Sequence, residues 1–284
     1  MLMYLAPFLF SLLAWWSSTS VIIYVDGLPT GTVRWSLAVT SLLALAALCA
    51  MYGLRNETSL PSVYLAFVCG LLAWAWPEVG FYTGYLSGPR LSPCPENCGG
   101  WRHFRHAVHA NLYHELAILL IGVVVTVLTW NAANPVGRWT FYALWGMSQS
   151  AKLNMFLGVR NLNVELLPPQ LQHLRSYLTH KSINFLFPIS ITVSTLLTAG
   201  LYVQVFTAGD AAAATGLMLV ATMLAIGVLE HWLLVLPIST TLLWEWGLRS
   251  RRNKRGNASI QTAGRDLPHH LAPAPAPLSA PDQF

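Results

Sequence analysis

Two adjacent pairs, His114–Glu115 and Glu230–His231, join the side chains best suited to hold a proton or ligate a metal near neutral pH. Each pair borders a long apolar run: LAILLIGVVVTVL follows the first and GLMLVATMLAIGVL precedes the second. Lys152, in WTFYALWGMSQSAKLNMFL, and Glu78, in LLAWAWPEVGF, interrupt two more such runs. An ionisable group held in lipid costs about 2.5–3.5 kcal/mol unless it finds a partner, so groups in such runs are expected to face one another. Asn111 shares a face of roughly 100° with His114 and Glu115. The candidate ligand-binding residues are therefore His114, Glu115, Glu230, His231, Asn111, Lys152 and Glu78.

Several chemistries fit these residue types. His114 or His231 could be the axial ligand of a tetrapyrrole, and the two together could hold a haem. His114, Glu115, Glu230 and His231 could instead hold a metal such as iron. A ferritin-like di-iron bundle, however, uses Glu-x-x-His pairs, and here the pairs are adjacent. A simpler reading is an interhelical pin joining Lys152 to Glu115 or Glu230. Transport is disfavoured by the lack of an internal repeat. A retinal Schiff base is excluded on the last apolar run, because the lysines are Lys152, Lys181 and Lys254. Whether the site is catalytic stays open at this level.

The elements that position these residues follow from composition. Of 284 residues, 55% are hydrophobic and only 10% charged, against about 25% charged in soluble domains. The mean hydropathy is +0.51. These values define a polytopic membrane protein. The net charge of +5 does not indicate nucleic acid, because the basic residues lie between apolar runs and in the tail. Four cysteines are too few for a disulfide framework. The first segment lacks a basic start and a clear small-x-small cleavage site before Asp26, so it is expected to stay as a helix rather than be removed as a leader.

Spans are expected at about 2–25, 35–54, 58–80, 106–131, 138–159, 183–208 and 211–237, each near the roughly 20 residues that cross a bilayer. The fifth is interrupted by Lys152. The fold class is all-α, a bundle of about seven transmembrane helices over 1–248. A basic and then Pro/Ala-rich cytoplasmic tail, expected to be disordered, occupies 249–284. With the N-terminus periplasmic and the C-terminus cytoplasmic, Arg55 and Arg138 are the only two of 16 basic residues left outside. In that arrangement His114 lies about 12 Å inside the fourth span. Glu230, His231 and Lys152 fall in the same layer, and Glu78 lies at its watery rim.

Other residues have plainer readings. Trp15 and Trp16 sit near mid-span and read as packing. Pro77 is expected to kink or end the third helix. The string Cys94, Cys98, His103 and His106 matches zinc spacings only loosely, so the cysteines read as loop thiols and the histidines as interface residues. In LQHLRSYLTHK, Leu171, Leu174 and Leu178 recur at helical spacing, as in a short helix lying at the membrane surface.

Four segments, GPRLSPCPENCGGWRHFRHAVHANLYHELA, SAKLNMFLGVRNLNVELLPPQLQHLRSY, NFLFP and LEHWLLVLP, together resemble the PuhE family of photosynthetic complex assembly proteins. The resemblance covers roughly residues 86–240. It implies a protein of the bacterial inner, intracytoplasmic photosynthetic membrane, in contact with lipid. Its expected partners are reaction-centre, antenna or pigment-biosynthesis proteins. The implied role is assembly of that apparatus or control of bacteriochlorophyll supply, which favours a tetrapyrrole among the possible ligands. The alternative is a membrane metalloenzyme acting on a tetrapyrrole or other lipid-soluble substrate. The family supplies no catalytic residues to carry over.

Overall fold

A computed structural model describes residues 2–28, 30–162, 164 and 167–238. The tail expected at 249–284 lies outside the described residues. Seven long helices follow in order: α1 Leu2–Asp26, α2 Val33–Leu54, α3 Leu60–Tyr82, α4 Gly100–Leu128, α5 Val136–Leu157, α6 Leu186–Thr207 and α7 Ala211–Val235. A 3₁₀ helix, Pro169–Tyr177, lies between α5 and α6. Among the described residues there is no strand, only an isolated bridge between Val159 and His180. Six of the long helices are long and apolar enough to cross a membrane. The other, α5, is of similar length but carries Ser148, Gln149, Ser150, Lys152 and Asn154 on its second half.

The helix ends follow local chemistry. Ser59 caps α3 by accepting from the Ser62 amide, with Pro61 in the first turn, where its missing N–H costs nothing. Asp210 caps α7 through the Ala213 amide at 2.8 Å. Asn184 Oδ1 accepts from Leu186 and Phe187, which start α6. Pro77 does not end α3. The helix continues five residues further, to Tyr82, because proline removes one backbone bond that neighbouring helices in a bundle can tolerate. Glu78 is thereby carried into the packed interior instead of standing at a hydrated rim.

α3 is the central helix, and α7 packs beside it. Val63, Phe67 and Leu71 of α3 meet Val136 and Ala143 of α5 and Leu219, Met223 and Ile226 of α7. Lower on α3, Cys69, Ala73 and Trp74 pack on Ala47 and Met51 of α2, Ile118 and Val125 of α4, and Phe141 of α5. Lipid gives apolar helices no hydrophobic reason to associate, so close packing and interhelical hydrogen bonds must do so. Gly70 and Gly137 make a close crossing: a Cβ on Gly70 would stand 2.5 Å from the Gly137 carbonyl, and one on Gly137 would stand 2.6 Å from that of Ala66. Hydrogen bonds add to it. Ser11 on α1 donates to the Leu219 carbonyl on α7, and Trp76 on α3 donates to Ser41 on α2.

A third cluster closes one end. Leu171, Leu174 and Tyr177 pack on Phe81 of α3 and on Ala107 and Ala110 of α4. The buried positions are spaced by three, the period of a 3₁₀ helix, so Tyr177 takes the place expected for Leu178. The segment covers helix ends and does not lie apart on a surface.

Candidate functional site

The polar centre is built where α3, α4 and α5 meet. His114 on α4 is fully buried. Its ring stands over Phe81 of α3, with centroids 4.4 Å apart. Its Nε2 lies 3.6 Å from Oε1 of Glu78. Neither ring nitrogen of His114 has a hydrogen-bond partner, and neither does Glu78 Oε1. The Pro77 carbonyl is close enough to act on the imidazole electrostatically, but it stands outside hydrogen-bond geometry. Buried polar atoms left in this state cost about 1–3 kcal/mol each, so they mark a place where packing alone does not explain the residue.

Glu115, the next residue along α4, turns about 100° away and meets α5 instead. Its Oε1 lies 2.8 Å from Lys152 Nζ, and its Oε2 accepts from Gln149 Nε2 at 2.6 Å. Gln149 and Lys152 are three residues apart on α5 and grip both carboxylate oxygens. This pair is not sealed: the Glu115 and Lys152 side chains are 32% and 27% exposed. Lys152 and Glu115 also act electrostatically on Glu78, and Lys152 on His114. The five residues therefore form one coupled polar group, with a buried half and an open half.

The loop between α3 and α4 covers the buried half. The Ser87 carbonyl accepts from the His114 amide at 3.3 Å. Gly88 lies directly on the α4 backbone, where a Cβ would collide with the His109 carbonyl and stand 2.7 Å from that of Ala110. Only glycine permits that approach.

The residues of α7 do not join this group. His231 is buried, but both its nitrogens are engaged, Nδ1 with the Gly227 carbonyl and Nε2 with Ser150 Oγ of α5, each at 2.9 Å. Glu230 is exposed on the outside of the bundle, beside the Trp15 side chain of α1, to which it hydrogen-bonds. Trp15 thus pairs a carboxylate in addition to its packing role. The four-ligand set of His114, Glu115, Glu230 and His231 is not assembled, because adjacent residues on a helix point in different directions. Among the described residues, the three-residue groups close enough to share a metal include none of these four. Asn111 turns back on its own helix and donates to the Ala107 carbonyl.

Gln149, Ser150, Phe81 and Ser87 were not singled out in the sequence. Gln149 was accessible through its i, i+3 spacing to Lys152. The other three carry no sequence signal of their own. A separate polar pin was missed as well: buried Asn154 donates to Ser190 Oγ of α6 at 3.0 Å and accepts from Asn184 at 3.1 Å.

This architecture defines a multi-pass helical membrane protein with a polar group at the contact of three helices. The chain belongs to the DUF3623 family, described as a protein of unknown function, whose model it matches over residues 1–255. It is 32% identical over 259 residues to the uncharacterized 30.4 kDa protein in the puhA 5′ region of Rhodobacter capsulatus, an alignment covering 90% of this chain and 94% of that one. No solved structure matches the chain.

Proposed function

We propose that this protein is an assembly factor of the bacterial photosynthetic apparatus, as the resemblance to the PuhE family implies, working in the inner membrane that carries it. On this reading it engages a partner subunit within the membrane through the open half of its polar group. The observation that carries the proposal is the Glu115–Lys152 pair, about a third and a quarter exposed on the side of the bundle. Such a pair turned toward lipid is costly, and a polar group on a partner's transmembrane helix would relieve the cost. Exposed Leu116, Leu119 and Leu153 flank it and provide apolar surface for a helix to lie on. The Rhodobacter capsulatus relative supports the setting, since its gene lies in the puhA 5′ region, a photosynthesis gene region.

The geometry favours a protein partner over a pigment. A tetrapyrrole needs a free imidazole nitrogen with open space above it. His231 has no free nitrogen, and His114 is fully enclosed.

The test is site-specific photo-crosslinking in phototrophically grown cells. A crosslinker at Leu119 or Leu153 is expected to capture a reaction-centre, antenna or pigment-biosynthesis protein. One at Leu196, exposed on α6, is expected to capture none, and the E115Q/K152M double variant is expected to lose the adduct. A bacteriochlorophyll band that co-purifies with the wild type and vanishes in H114F would replace this reading with pigment binding. Full phototrophic growth of E115Q/K152M, with no adduct at any of these positions, would remove the site altogether.

A further inference from the structure

The loop before α4 and the first turns of that helix gather four side chains that the polar group does not use. Cys94 and Cys98 flank a tight turn, closed by the Cys98 amide donating to the Pro95 carbonyl at 3.2 Å. Asn97 adopts a left-handed conformation there, φ 63°, which doubles the chain back on itself. α4 begins at Gly100, so His103 and His106 stand on the helix, three residues apart on one face. Sγ of Cys94, Sγ of Cys98 and a ring nitrogen of His106 all lie within 4.8 Å of one another. His106 Nδ1 is 3.3 Å from Cys98 Sγ, and His103 Nδ1 is 3.1 Å from Cys94 Sγ. Neither cysteine is in a disulfide.

Tetrahedral zinc, with bonds of about 2.3 Å to sulfur and about 2.0–2.1 Å to nitrogen, brings its ligand atoms to about 3.3–3.8 Å of each other. His106 Nδ1 and Cys98 Sγ stand at that spacing and Cys94 Sγ joins them within 4.8 Å, while His103 reaches Cys94 Sγ at 3.1 Å without belonging to that mutual set. The surroundings hold the ligands in place from several directions. The Cys94 amide donates to Ser176 Oγ at 2.8 Å. Arg90 donates to the Tyr177 hydroxyl at 2.6 Å, which in turn donates to the Ser92 carbonyl at 2.8 Å. Arg102 donates to the Asn97 carbonyl at 3.0 Å, and the His103 ring stacks on Phe156 of α5 at 5.2 Å. Free loop thiols require none of this support. Two thiolates with two neutral imidazoles leave a zinc centre uncharged, and this donor set suits zinc over hard cations.

We propose that Cys94, Cys98 and His106 bind one zinc ion that fastens the α3–α4 loop to the start of α4, with His103, now beside Cys94 Sγ alone, closing in as the fourth ligand. The site is closed and structural. It holds in place the loop whose Ser87 and Gly88 cover His114.

The test uses the full chain purified in detergent. The wild type is expected to carry one zinc per chain. Replacing zinc with cobalt is expected to give thiolate-to-cobalt charge-transfer absorption and the ligand-field bands of a tetrahedral site. C98S and H106Q are each expected to cut zinc retention against a competing chelator to about one tenth or less. Should those variants fail to fold, the wild type still decides the matter: zinc is expected to slow alkylation of Cys94 and Cys98, followed peptide by peptide, and to leave Cys49 unaffected. The proposal is overturned by cobalt binding without the thiolate band, by alkylation of both cysteines at the same rate with and without zinc, or by a Cys94–Cys98 disulfide in place of metal.

Discussion

His114 Nε2 and Glu78 Oε1 face each other at 3.6 Å inside the bundle, and neither atom completes a hydrogen bond. Two buried groups that can each carry a proton stand where an apolar pair would pack without penalty. Stability alone does not account for them.

That relationship predicts an inverse response of fold and function at His114. Phenylalanine fills a similar volume and removes two unpartnered nitrogens, so H114F is expected to be as stable in detergent as the wild type, or more stable by up to about 1 kcal/mol. Phototrophic complementation by the same variant is expected to fail. Thermal unfolding followed by circular dichroism and a growth assay measure the two halves.

The Glu115–Lys152 pair should respond oppositely to single and double changes. K152M leaves a carboxylate facing Gln149 alone and is expected to cost about 1–2 kcal/mol, less than the roughly 3–5 kcal/mol of a sealed pair because both partners are part-exposed. E115Q/K152M removes both charges and is expected to recover most of that loss. A double-mutant cycle on unfolding midpoints gives the coupling; purely additive effects would argue against an energetically coupled pair.

His231 is expected to behave as a structural residue. S150A deprives its Nε2 of the only partner that α5 offers and is expected to destabilise the bundle by about 1–3 kcal/mol. Crosslinking at Leu119 should be unchanged in this variant, which separates His231 from the group around Glu115.

Gly70 and Gly137 set how closely α3 and α5 approach. G70V places its branch against the Gly137 carbonyl and Thr140. The expected cost is at least about 1–3 kcal/mol, and G146V, where nothing stands within 4 Å, serves as the tolerated control. Detergent-resistant folding on size-exclusion chromatography reports the difference.

The helices were legible because a long uncharged run in lipid has few ways to satisfy its backbone, and α5 could be found despite its polar half. The directions in which individual residues point were not. Counting residues placed His114, Glu115, Glu230 and His231 at one depth, but depth says nothing about azimuth. His114 meets α3 while Glu115 meets α5, and His231 turns to Ser150 while Glu230 turns outward to Trp15. The zinc spacing from Cys94 to His106 is loose as a motif, and only the fold shows α4 starting early enough to aim both histidines at the cysteine turn. The Leu171, Leu174, Leu178 pattern fitted an α-helix equally well, and only burial of Tyr177 distinguishes the tighter winding.

Gly88 resting on the α4 backbone has a consequence for biogenesis. The loop from Thr83 to Gly99 seats on α4 at Gly88 and on the 3₁₀ segment through Cys94 and Arg90, so it is expected to settle after those elements have come together. His114, shut away in the folded protein, is expected to be reachable before that step. A chain stalled before the loop settles is expected to label at His114 with an imidazole-directed reagent, while the finished chain resists it.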